Sequence, residues 1–132
     1  MKPSKDKRSE FDEDLHFGEE GERWLLWFAD EAKVEVKRER DCWHKSGNIF
    51  FEFQCKGKPS GLAVTKADWW LHILTLEGEQ KGILAFPVPA LKKRLRSLLS
   101  EGRVETISTG GETPSRGVLF PMTLLSELIE NE

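Results

Sequence analysis

The chain reads as a mixed α/β (α+β) domain, a central mixed β-sheet flanked by helices, on three observations. Residues 34–39 and 49–55 alternate apolar and polar side chains with period two, as half-buried strands do. Trp24, Trp27 and Phe28 before them, and Leu91, Leu95 and Leu98 well after them, recur at helical spacing. Turn-forming clusters separate the two kinds of run, and 132 residues are enough for one domain with its own core.

Taken in order, residues 1–17 are charged, poor in apolar side chains and without period, which predicts a disordered or loosely held tail ahead of a single domain over 18–132. From Gly18 a helix is expected, its acidic first turns complementing the helix dipole. In the first strand Val34 and Val36 share one side, and Glu35, Lys37 and Glu39 the other. Ser46-Gly47-Asn48 is a turn signal, so the next run is expected to fold back antiparallel on the first. There Ile49, Phe51, Phe53 and Cys55 share a face, opposite Phe50, Glu52 and Gln54. Such a hairpin gathers Glu35, Lys37, Glu52 and Gln54 on one polar face. A wet sheet face of this kind needs no function. Crowded carboxylates on it are relieved by a lysine, by solvent or by a cation.

Residues 56–61, KGKPSG, read as a loop, and Thr65 with Asp68 as a single helical turn. Residues 69–76 and 82–88 form a second hairpin around Glu77-Gly78-Glu79. Pro89 opens a helix that Gly102 stops, with Lys92, Lys93 and Arg96 on its basic side. Short strands over 103–107 and 118–120 and a closing helix over 121–132 complete the chain. Trp43, Trp69 and Trp70 read first as core residues and second as stacking platforms for bases.

Composition excludes several classes. Cys42 and Cys55 have neither CxxC spacing nor a histidine cluster, against a disulfide framework or zinc site and in favour of a reducing compartment. No apolar run reaches membrane-spanning length and the N-terminus lacks a signal-peptide core, so a soluble cytoplasmic protein is expected, in the host cytoplasm for a viral chain. Phosphate loops, dinucleotide fingerprints and nucleophile elbows are missing, and Cys42 with His44 lacks an orienting third group. The net charge of −3 divides into −5 over residues 1–32, +4 over 33–66 and −2 over 67–132. The basic block therefore coincides with the polar strands. Arg38, Arg40, Lys45, Lys56, Lys58 and Lys66, with Ser60 and Thr65 between them, are the candidate contacts for a phosphate backbone. Lysines guarding a sheet edge give the same pattern without a ligand.

The pieces Val34-Glu35-Val36-Lys37, Lys45-Ser46-Gly47-Asn48, Ile49 to Glu52, Gly57-Lys58-Pro59-Ser60-Gly61 and Thr65-Lys66-Ala67-Asp68-Trp69-Trp70 follow one another in that order. Together they resemble the core of the PD-(D/E)XK nuclease superfamily, in particular small phage-type and Holliday-junction-resolvase-like endonucleases. The resemblance covers residues 34–70; the rest of the chain matches in outline. It implies a restriction-endonuclease-like core, Mg²⁺ or Mn²⁺ as cofactor, duplex or branched DNA as substrate, and leaves pairing of two chains open. Two alignments satisfy it. In one, Glu35-Val36-Lys37 is the (D/E)XK element, with Asp30 or Glu31 upstream. In the preferred one, Glu35 takes the Asp position, Glu52-Phe53-Gln54 is the (D/E)XK element with Gln for Lys, and Lys37 supplies the ammonium. The resemblance also implies a metal-binding Glu22, since Gly18-Glu19-Glu20-Gly21-Glu22 approximates a GExGE-like start. Glu35, Lys37, Glu52 and Gln54 are then the catalytic candidates, and Glu22, Glu35 and Glu52 the metal ligands. The competing expectation is a catalytically inactive domain of that fold that binds nucleic acid or a protein partner.

Overall fold

The period-two runs become strands and the helically spaced runs become helices in an α+β protein. It is a computed structural model that describes residues 4–129, with side chains from residue 10 onward. In chain order the elements are α1 (Ser4–Glu31), β1 (Val34–Glu39), α2 (Cys42–Ser46), β2 (Asn48–Cys55), β3 (Lys58–Pro59), a 3-10 turn (Gly61–Ala63), β4 (Trp69–Leu76) and β5 (Glu79–Pro87). Then come α3 (Val88–Ser100), β6 (Glu105–Ser108), β7 (Ser115–Pro121) and a second 3-10 segment, Met122–Leu128, where a closing helix was expected. Among these residues no helix is long and apolar enough to cross a membrane.

The chain divides into two compact units, α1 to Ala32 and everything from Lys33. Helix α1 starts at Ser4 and not at Gly18. Residues 4–17, expected as a loose tail, are therefore helical. Their Lys, Arg, Glu and Leu are good helix formers, and a helix already nucleated downstream extends at little cost. His16 and Glu20 add an i,i+4 contact at 2.8 Å, and Trp24 stacks on Phe28 with ring centroids 5.3 Å apart.

In the second unit the strands fall into two sheets, a mixed one of order β1-β4-β5 and an antiparallel one of order β3-β2-β7-β6. The expected hairpin between the first two strands does not form. Strand β1 runs parallel to β4, Val34 opposite Trp69 and Glu39 opposite Leu74, while β2 runs antiparallel to β7, Ile49 opposite Phe120 and Phe51 opposite Val118. The cause lies between the strands. Residues 42–46 are helix α2, ended by Gly47 at φ 74°, and a helical turn there redirects the chain where a two-residue turn would have reversed it. Trp43 fixes α2 by donating its indole N–H to the Thr75 carbonyl at 2.6 Å.

Two tight hairpins do form. Glu77 and Gly78, at φ 52° and 82°, join β4 to β5 as expected. Lys56 and Gly57, at φ 51° and 77°, join β2 to β3 within the stretch expected as loop. Both pairs have the doubly left-handed backbone of a type I′ turn. The core lies where the alternation and the helical spacing put it: Ile49 and Phe51 from β2, Val118 and Phe120 from β7, Trp70 and Phe86 from the other sheet, and the Leu91, Leu95, Leu98 stripe of α3. Trp70 is thus a core residue, and Trp43 packs against the same core.

Candidate functional site

Glu35 and Glu52 sit in different sheets, so the shared polar face expected of them does not exist. A single connecting segment reaches both. Ser60 Oγ donates to Glu52 Oε2 at 2.9 Å, and Thr65 Oγ1 donates to Glu35 Oε1 at 3.2 Å. The segment between them is held tightly. Ser60 N–H donates to the Phe53 carbonyl at 2.9 Å, Thr65 N–H to the Gly61 carbonyl at 3.0 Å, and Leu62 is buried in the core. Gly61 has φ +50°, and a Cβ there would clash with the Glu52 carbonyl oxygen. Only glycine lets this backbone lie against β2. Ala67 N–H donates to Thr65 Oγ1 at 3.2 Å, which turns the Thr65 hydroxyl hydrogen toward Glu35. The two hydroxyls thus flank a 3-10 turn, Gly61–Ala63.

Glu35 is exposed and Glu52 half-buried. Each has a second carboxylate oxygen without a hydrogen-bond partner among the described residues. Lys37 follows Glu35 on the same side of β1, half-buried and without an acidic partner among the described residues. With Arg38, Arg40, Asp41 and Thr75 it lines a hollow of about 680 Å³ at the end of β1, three cations and one acid.

Glu39, third on that row, has a different environment. Its Oε1 accepts from the Phe50 N–H at 2.7 Å and contacts His72 Nε2 at 2.9 Å, and its carbonyl accepts from Thr75 Oγ1 at 2.6 Å. His72 is fully buried, and Trp70 Nε1 donates to its Nδ1 at 3.0 Å. An indole nitrogen only donates, so Nδ1 is the accepting nitrogen and Nε2 carries the hydrogen that Glu39 receives. This chain of bonds ties β1 and β4 to β2 across the gap between the sheets. Alternation puts Glu39 beside Glu35 and Lys37 without a role; the lone His72 inside the apolar run of residues 69–76 is the signal of a buried polar partner.

Gln54 does not join the acids. A bulge follows Glu52, so that Glu52 pairs with Gly117 while Gln54 pairs with Arg116. Neighbouring positions on β7 face opposite sides, so Gln54 lies on the other side of the sheet from Glu52. The expected Glu52-Phe53-Gln54 element therefore does not present Glu52 and Gln54 together. Glu22 is exposed on α1, in the other unit.

The basic candidates form no single patch. Arg38 points to the opposite side of β1 from Lys37 and donates to Gln80 Oε1 at 2.7 Å. Lys45 ends α2 ahead of β2, whereas Lys56 and Lys58 flank the hairpin after it, roughly 24 Å away along a strand rising ~3.4 Å per residue. Lys66 and Arg40 are exposed near β1. Ser60 and Thr65, expected as phosphate contacts, are instead engaged with the two carboxylates.

Comparison of the chain with protein-family models, curated proteins and solved structures yields no match. The donor set gives its own test of fit for a metal. Among the described residues no three His, Cys, Asp or Glu side chains group as ligands. Mg²⁺ is held in many sites by one or two carboxylates, with waters and substrate phosphate completing the octahedron. Glu35 and Glu52, each with a spare hard oxygen, suit that mode.

Proposed function

We propose that the unit from Lys33 onward is a metal-dependent DNA endonuclease of the PD-(D/E)XK kind, hydrolysing phosphodiester bonds in duplex or branched DNA. The observation that carries this reading is the Ser60–Thr65 segment, whose two hydroxyls each hold an acid, one from each sheet. Glu35 and Glu52 would hold Mg²⁺ or Mn²⁺, and Ser60 and Thr65 set the carboxylate orientations. Lys37 neutralises charge on the phosphate. Arg40 and the basic hollow beside it take the adjoining backbone, and Lys56 and Lys58 extend the track past the far end of β2. A bound divalent cation supplies Lewis-acid stabilisation and a water acidified enough to attack phosphorus. Free thiols at Cys42 and Cys55 suit a cytoplasmic setting.

A second reading, a non-cutting DNA-binding domain, is favoured by the bulge that turns Gln54 away from Glu52. Nicking of plasmid, branched and single-stranded DNA in Mg²⁺ against EDTA separates the two. Under the first reading Glu35→Gln or Glu52→Gln lowers the rate by ~10²-fold or more, with DNA affinity in Ca²⁺ unchanged. Lys58→Ala weakens affinity and lowers the salt slope by about one phosphate contact. Binding without cutting by the wild type selects the second reading; loss of both activities ends both.

A further inference from the structure

Behind the Ser60–Thr65 segment, on the core side of β2, lies a hollow of about 340 Å³ walled by Phe51, Phe53, Leu62 and Val118, with Lys92 and Arg96 at its mouth. The volume is at the small end of the range of ligand pockets. Its walls offer no polar side chain, so a ligand body with donors and acceptors, such as a nucleobase, would bury them unsatisfied. The occupant's body must be apolar. The mouth requires the opposite chemistry. Lys92 and Arg96 are four residues apart, one turn of α3, and reach the same edge of the hollow. Neighbouring cations are neutralised: Arg94 and Arg103 both reach Glu127, at 3.4 Å and 3.2 Å. Neither Lys92 nor Arg96 has a carboxylate partner among the described residues. Two uncompensated cations above an apolar hollow complement one anionic group on an apolar body.

From this geometry we infer that the hollow between β2, β7 and α3 is a binding site for a small amphipathic anion, a short acyl chain or similar apolar body ending in a carboxylate, taken from solution and not from a membrane surface. The apolar body fills the space over Phe51 and Phe53. The carboxylate accepts hydrogen bonds from Lys92 Nζ and the Arg96 guanidinium. Leu62 belongs to the segment that carries Ser60 and Thr65, so the ligand seats against the back of the carboxylate site without touching Glu35 or Glu52.

The test uses the full chain and octanoate as probe, read by displacement of 1-anilinonaphthalene-8-sulfonate fluorescence and by calorimetry, in the absence of DNA and metal. Saturable one-site binding of octanoate is expected, with octan-1-ol and octylammonium weaker by about tenfold or more, because each lacks the charge-assisted bonds at the mouth. Lys92→Gln with Arg96→Gln lowers octanoate affinity by a similar factor, and Ala63→Phe, which projects a ring into the hollow, abolishes binding with an unchanged circular-dichroism spectrum. Octanol binding as tightly as octanoate overturns the inference, as does octanoate affinity indifferent to both variants, or signal that arises only with anionic vesicles. The comparison of octanoate with octanol needs no variant, so a misfolded mutant does not remove the test.

Discussion

Glu35 and Glu39 lie four residues apart on one strand and on the same side of it, yet they have opposite fates. Glu39, at the inner end of β1, receives hydrogen bonds from Phe50 N–H and His72 and is only 14% exposed. Glu35, at the outer end, receives one long bond from Thr65 and is open to solvent. The difference teaches what separates a structural acid from an available one. A half-buried carboxylate whose Oε1 serves donors from two neighbouring strands is committed to holding those elements together. One held by a single hydroxyl is oriented and still able to bind. Glu52, half-buried and held by Ser60 alone, belongs with Glu35.

Substitutions sharpen the contrast, beginning with the largest effect. Glu39→Ala strands two buried donors, the Phe50 N–H and His72 Nε2, and should destabilise the fold by about 2–4 kcal/mol in denaturant melts. Glu39→Gln keeps an acceptor oxygen and should recover most of that. A Glu39→Ala protein as stable as wild type would remove the distinction between the two ends of β1. Next in size, Gly61→Ala forces a left-handed backbone on alanine and drives a Cβ into the Glu52 carbonyl. The expected loss is about 1–3 kcal/mol, with chemical-shift changes at Ser60 and Thr65 as the turn is displaced. Silence at those two residues would mean that the turn does not place the hydroxyls. The smallest effect is expected at Glu35→Gln, within about 0.5 kcal/mol of wild type in stability, because the site is exposed and the change keeps shape and an acceptor. A larger loss would make Glu35 structural like Glu39 and count against its role as a ligand.

Much of the local structure was legible along the chain. Alternation places β1 and β2, helical spacing the buried face of α3, and the Glu77-Gly78 turn the β4–β5 hairpin, because each depends on a few neighbouring residues. Three features were not legible. The α2 turn at Cys42–Ser46 hides under a Ser-Gly-Asn turn signal, and missing it turned a crossover into a false hairpin. The bulge after Glu52 leaves no mark in the alternation of residues 49–55, which by itself puts Gln54 on the side of Glu52. Lys56-Gly57 has the same left-handed pair as Glu77-Gly78, but the strand it opens is only two residues long, too short to show in the pattern.

The candidate site divides in the same way. Alternation and charge are properties of adjacent positions, and they suffice to put Glu35 and Lys37 on one side of a strand, Glu52 opposite the core residues of another, and a basic excess over 33–66. Long-range pairing sets the rest: Glu35 and Glu52 lie in different sheets, each bonded to one hydroxyl of the Ser60–Thr65 segment, and Glu39 Oε1 is bonded to His72 and Phe50. Strand pairing is a competition among long-range partners for buried apolar area and backbone hydrogen bonds, and no local pattern in β1 or β2 encodes that β4 and β7 win it.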